Sequence, residues 1–198
     1  MRSHILLVLL AASCVSPKEC LHPSLTQQVK PGQTRADVIK LLGTSNWSQT
    51  GANGKTVDCY TYDELVYATR TASEAARDLK FRTFSVRYDP ANLVEETLTY
   101  ESTTPAIVYN TRAFAGIAVK PQDLQKIHVG TTTRQDLVAM FGQPVSESLH
   151  PHGRELYWFE IQVGTSVTHR QDLKGLDIVI DGDGIVRVAN FDDTHERR

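Results

Sequence analysis

The chain has 198 residues, with 21 Lys+Arg against 23 Asp+Glu, and 40% of its residues are apolar. A net charge of −2 excludes nucleic acid as the main partner, and this apolar content excludes a disordered chain. The one long apolar run, residues 5–12, is too short to span a bilayer.

Arg2 and His4 precede that run, and Ala11, Ala12 and Ser13 lead from it to Cys14. This order predicts a secretory signal over residues 1–13. The small residues directly before Cys14 resemble a bacterial lipobox. That resemblance implies acylation of Cys14 and, with Val15 next, an outer-membrane destination. Ala11 stands where leucine is usual, so cleavage by the general signal peptidase remains the alternative. Residues 14–23 read as a linker. Cys20 and Cys59 either form a disulfide that ties this linker to the first unit, or remain a loose thiol and a small buried hydrophobe.

The rest of the chain is a repeat. Thr34 to Gly43 returns as Thr133 to Gly142, and a gapless reading carries on to place Tyr60 on Phe159. In each copy a short helix (25–30; 122–128) leads through Gly32 or Gly130 to a second helix (34–43; 133–142). Thr34 and Thr133 are N-caps with Asp37 and Asp136 three residues on, and Gly43 and Gly142 stop the helices. Val38, Leu41 and Leu42 line one helical face, as do Leu137, Met140 and Phe141. A basic recognition helix is missing from this helix–turn–helix.

Three strands follow in each copy: 57–67, 81–88 and 93–100, then 155–163, 176–180 and 185–191. Asp89-Pro90-Ala91-Asn92 and Asp181-Gly182-Asp183-Gly184 supply the hairpin turns. The expected fold is α+β: two tandem ααβββ units, each a helix pair on an antiparallel sheet of three strands, or four. The first unit spans 24–102 and the second 121–192, with a connection over 103–120 and a tail over 193–198. Alternation puts Phe84, Val86, Tyr88, Leu98 and Tyr100 against the helices, and likewise Tyr157, Phe159, Ile161 and Val163. Thr83, Ser85, Arg87, Glu95, Thr97 and Thr99 then form a wet face open to a partner.

The pattern Gly-x-Thr-x-x-x-Val-x-x-x-Leu-Gly at Gly32–Gly43, with Gly130–Pro144 and the aromatic strand Leu156-Tyr157-Trp158-Phe159, resembles the SmpA/OmlA (BamE-like) lipoprotein family. The resemblance implies an ααβββ module at the periplasmic face of the outer membrane, where relatives support the β-barrel assembly machinery. The usual member has one module, and the first unit here lacks the Gly-x-Pro exit. Tandem units of this kind also resemble the β-lactamase inhibitory proteins, which implies a concave double sheet that binds an enzyme.

Chemistry-bearing motifs are sparse. Asp181–Gly184 lacks the further oxygen ligands of a calcium loop. His150 and His152 have no third metal ligand near in sequence. Asn46-Trp47-Ser48 matches a glycosylation sequon, which a bacterial lipobox sets aside, and Asp63-Glu64 and Asp192-Asp193 read as solvated acids. Catalytic residues, metal ligands and cofactors are therefore not assigned. Trp158, Trp47 and Arg87 are the candidate partner-binding residues, the tryptophans as exposed hot spots or as packing over the unit junction. The sequence points to a lipid-anchored periplasmic adaptor acting on envelope proteins, with no nucleic acid and no small-molecule substrate. An enzyme inhibitor is the alternative.

Overall fold

The computed structural model describes residues 21–67, 77–109, 112–164 and 170–197. It is an α+β fold with few helices. These are α1 (Pro23–Thr26), α2 (Arg35–Leu42), a 3₁₀ turn (Pro121–Lys126) and α3 (Arg134–Phe141). The capping boxes form as the sequence predicts, with Thr34 on Asp37 and Thr133 on Asp136. Of the expected helical faces, Val38, Leu42 and Leu137 are buried, whereas Met140 is exposed.

Of the nine strands among the described residues, eight form two antiparallel groups of four. The first is β1 (Trp47–Thr50), β2 (Thr56–Tyr67), β3 (Arg77–Tyr88) and β4 (Val94–Tyr109). The second is β6 (Ser146–His150), β7 (Gly153–Gly164), β8 (Arg170–Ile180) and β9 (Val186–Arg197). β5 (Arg112–Gly116) pairs with β4 on one side and β7 on the other, making all nine continuous. The stretch expected as a connection, 103–120, is thus largely strand, and the expected tail lies mostly within β9.

Each unit has its own core under its helices. Val38, Leu42, Tyr60, Phe84, Val86 and Tyr88 pack in the first, and Leu137, Leu156, Trp158, Leu176 and Ile178 in the second. The turns match too. Asp89 Oδ1 accepts from the N–H groups of Ala91 and Leu93, and Asp181 Oδ1 from those of Asp183 and Ile185. These side chains close their own hairpins.

Two expectations about faces are overturned. In β7 the helix side carries Leu156 and Trp158, not Tyr157 and Phe159. Trp47 pairs with Cys59 whereas Ser146 pairs with Tyr157, so the second hairpin is one residue shorter. A gapless alignment misses this, and a slip of one residue turns every side chain to the other face. In β4 the register shifts at Arg87/Tyr88, where Tyr88 meets Val94 and Arg87 meets Glu96. This bulge places Thr97 and Thr99 opposite Val86 and Phe84, and sends Leu98 and Tyr100 to the far face. β8 and β9 show the same shift at Val179/Ile180.

Candidate functional site

The far face of the first sheet is not open. β6 lies against it, presenting the edge that does not pair with β7, and polar side chains of β3 and β4 satisfy that edge. Leu149 N–H donates to Ser85 Oγ at 2.9 Å, Tyr100 Oη donates to Pro144 O at 2.6 Å, and Ser102 Oγ donates to Val145 O at 2.6 Å. Thr83 Oγ1 and Ser146 Oγ are 3.2 Å apart. Thr83 and Ser85 are consequently buried, which corrects the expectation of a wet face.

Arg87 belongs to this junction. Its Nη1 donates to His150 O at 3.3 Å and Gly153 O at 3.2 Å, and its Nη2 pairs with Glu96. Glu96 also meets Arg154, which continues to Glu147 and Arg134 at 3.1 and 2.9 Å. This chain of charges runs from β3 of the first unit to α3 of the second. The Arg87 side chain is only 15% exposed, and both of its terminal nitrogens bond inside the molecule. As a partner contact it is corrected to a structural clamp.

Trp158 is corrected likewise. It is fully buried, its ring 5.9 Å from that of Phe141, and its Nε1 donates to Gly142 O at 3.1 Å. Trp47 is half-buried and stands opposite Cys59 in the β1–β2 register. Cys59 is a buried free thiol whose pKa burial pushes up to about 12. Cys14 and Cys20 lie outside the described residues, as does the signal segment.

The loop tips also meet. Asn53 Nδ2 donates to Pro151 O at 2.9 Å and lies 3.3 Å from His152 Nδ1. His150 is held below the usual histidine pKa, first by burial and then by His152. Among the described residues no group of three His, Cys, Asp or Glu is placed to hold a metal.

Sequence reasoning missed a pair of acids. Glu155 on β7 and Asp177 on β8 interact electrostatically, and Ser148 Oγ donates to Glu155 Oε2 at 3.3 Å. Burial, then the charge of Asp177, raises the Glu155 pKa to about 7, and burial raises Asp177. The pair is best described as two carboxyls sharing a proton. Two acids spaced 22 residues apart on different strands carry no local signal in the sequence.

What remains open is the outer half of the first sheet's helix side. There Tyr62, Lys80, Arg82, Glu101 and Thr103 border a depression of about 240 Å³, with Arg82 Nε 2.7 Å from Glu101 Oε1. The helices end before this half, since their contacts in the sheet are Tyr60, Phe84, Val86 and Tyr88, with Tyr62 at the margin. No helix among the described residues is long and apolar enough to cross a membrane. No family model matches the chain, and neither the curated proteins nor the solved structures give a match.

Proposed function

We propose that the chain is a non-enzymatic adaptor, anchored through lipid on Cys14 at the periplasmic face of the outer membrane. It acts in envelope assembly or integrity through protein–protein contacts. The signal-like start and Cys14 support the location. The repeated Thr-x-x-Asp helix start, preceded by Gly32 or Gly130, supports a tandem BamE-like protein, each ααβββ unit carrying one further strand, β1 or β6, ahead of the three.

One observation carries the binding role. The polar side chains of the first sheet's far face hold β6, so the two units form one rigid platform. The polar surface left over gathers outboard, at Tyr62, Lys80, Arg82 and Glu101. Loops and sheets held on a rigid frame lose little entropy when a partner docks.

A photo-crosslinking residue at Lys80, on the outboard surface, tests this in cells. The adaptor predicts adducts to an envelope protein, the β-barrel assembly machinery being the first candidate from the resemblance. The same residue placed at Lys174, on the second unit, gives few. Equal adducts from both positions, or none from Lys80, contradict it.

A further inference from the structure

Glu155 points away from the helices of its own unit. It alternates with Leu156 and Trp158, which pack in the second core, so it shares the far face of β7 with Tyr157 and Phe159. The first unit lies over that face. The Phe81 ring of β3 meets the Phe159 ring edge-on at 5.0 Å, and the charge of Glu155 acts on the Cys59 thiol of β2, which stands opposite Ser85. Ser148, the donor to Glu155, directly precedes Leu149, whose N–H is held by Ser85. A carboxyl thus sits where β6 docks on the first sheet.

The charges around it are negative. Asp177 on β8 lies diagonally across from Glu155, opposite Tyr157, and Asp192 on β9 follows opposite Gly175. Among the described residues these two acids are the charged groups that act on Glu155. From β6 it meets Ser148, and from β2 the Cys59 thiol, which stays neutral. Asp177 Oδ1 is buried and meets no donor among the described residues. The cations of the junction are engaged elsewhere. Arg87 pairs with Glu95 and Glu96 and holds the carbonyls of His150 and Gly153, Arg154 pairs with Glu96 and Glu147, and Arg134 with Glu147. Covered carboxyls this close, with no cation between them, cannot all ionise, so one proton stays with the pair.

We propose that the junction is a latch worked by this proton: while Glu155 and Asp177 share it β6 stays seated on the first sheet, and its loss lifts β6 away. Opening does not part the two acids. It gives them water, in which both ionise. β5 is the hinge, because its bonds to β4 and β7 do not involve β6. The seat is held by single side-chain bonds from Ser85, Tyr100, Ser102 and Arg87, whereas each core is crossed by full strand ladders. The seat therefore gives way before either core. The Glu155 contribution is full below pH 4.5 and is lost as pH rises through about 7. His150, two residues past Ser148, works the other way. Burial and His152 favour its neutral form, so its contribution is full above pH 6.5 and is lost as pH falls through its lowered pKa. The platform is rigid only while the proton is held, and this stands whether or not the adaptor reading does.

Amide exchange of the full-length protein, followed from pH 5 to 8 and corrected for the intrinsic pH dependence of exchange, tests the latch. The Leu149 N–H reports the seat, since its acceptor is Ser85 of the first unit, and the Tyr60 N–H reports the first core. From pH 5 to 8 the opening at Leu149 should grow on the order of fiftyfold more in the wild type than in Glu155→Gln, the span supplied by one pKa falling from about 7 to 4.5. His150 is present in both proteins, so its titration cancels. Asp177→Asn, a second variant, should flatten the curve in the same sense. At pH 8 Leu149 should exchange faster than Tyr60, and low urea should leave its rate unchanged, as for an opening that exposes little surface. Curves of one shape in the wild type and both variants overturn the latch. So does Leu149 exchange that matches Tyr60 at every pH, because the proton then acts on the whole fold and not on the seat.

Discussion

Tyr60 and Trp158 do the same work in the two units. Each reaches from the sheet to the carbonyl of the glycine that ends its helix. Tyr60 Oη lies 3.2 Å from Gly43 O, and Trp158 Nε1 lies 3.1 Å from Gly142 O. Each therefore pins helix to sheet with a buried aromatic body and one polar bond.

Trp158→Ala should cost about 3–5 kcal/mol of unfolding free energy, as truncation of a large core side chain does. Trp158→Phe should cost roughly 1–3 kcal/mol, because the Gly142 carbonyl loses its indole donor. Denaturant unfolding of both variants checks this. A wild-type midpoint for Trp158→Ala would contradict the buried placement.

The Glu155–Asp177 pair makes stability depend on pH. The folded pKa of Glu155, about 7, lies above its ordinary value of 4.5, so the folded state holds a proton that the unfolded state releases. That contribution is full below pH 4.5 and is lost as pH rises through about 7. Asp177 is shifted the same way. Glu155→Gln should flatten the decline and be the more stable protein at pH 8, by on the order of 2 kcal/mol. Melting curves across pH 4 to 9 that stay parallel for the two proteins would contradict the shared proton.

Arg87→Met should loosen the junction more than either core. It leaves His150 O and Gly153 O without their donor and Glu96 without its nearest cation, a loss of about 2 kcal/mol. The Leu149 amide, bonded to Ser85, should then exchange faster while the Tyr60 amide keeps its rate. Uniform acceleration at both would mean the units are not joined at this clamp.

Gly116→Ala should cost more than Gly32→Ala. Both glycines have positive φ, 102° and 85°, but only at Gly116 does a Cβ meet backbone, 2.0 Å from Phe159 O. The open site should cost about 1 kcal/mol and the closed one at least twice that. Similar losses at both would show that β5 can shift to make room.

Cys59 should stay silent toward a thiol reagent in the folded protein. Its pKa of about 12 leaves almost no thiolate near neutrality, and the side chain is buried. One reactive thiol should then appear on unfolding without reductant. Its absence would point instead to the disulfide with Cys20.

Local chemistry was legible in the sequence and long-range placement was not. The caps at Thr34 and Thr133 and the turns at Asp89 and Asp181 depend on residues within four positions, and they form as read. The sheet faces depend on a one-residue difference between two hairpins and on the bulges at Tyr88 and Ile180, which leave no mark in the apolar alternation. β1 and β6 lie outside the three strands expected in each unit. They occupy the same place in the repeat, yet β1 is mostly exposed and β6 mostly buried, because the other unit covers β6. Thr83, Ser85 and Arg87 look like a solvent face for the same reason: polar side chains that satisfy a strand edge have the composition of a surface. β4 runs on to Tyr109 through Pro105, which argues against a strand when taken alone.

The most direct measurement crosslinks the C-terminally tagged, full-length protein in cells and identifies what co-purifies from membranes, for the wild type and for Cys14→Ala. An anchored adaptor predicts β-barrel assembly or other envelope components with the wild type, and their loss with Cys14→Ala. Recovery of one soluble enzyme, unchanged by Cys14→Ala, contradicts the adaptor and indicates an inhibitor.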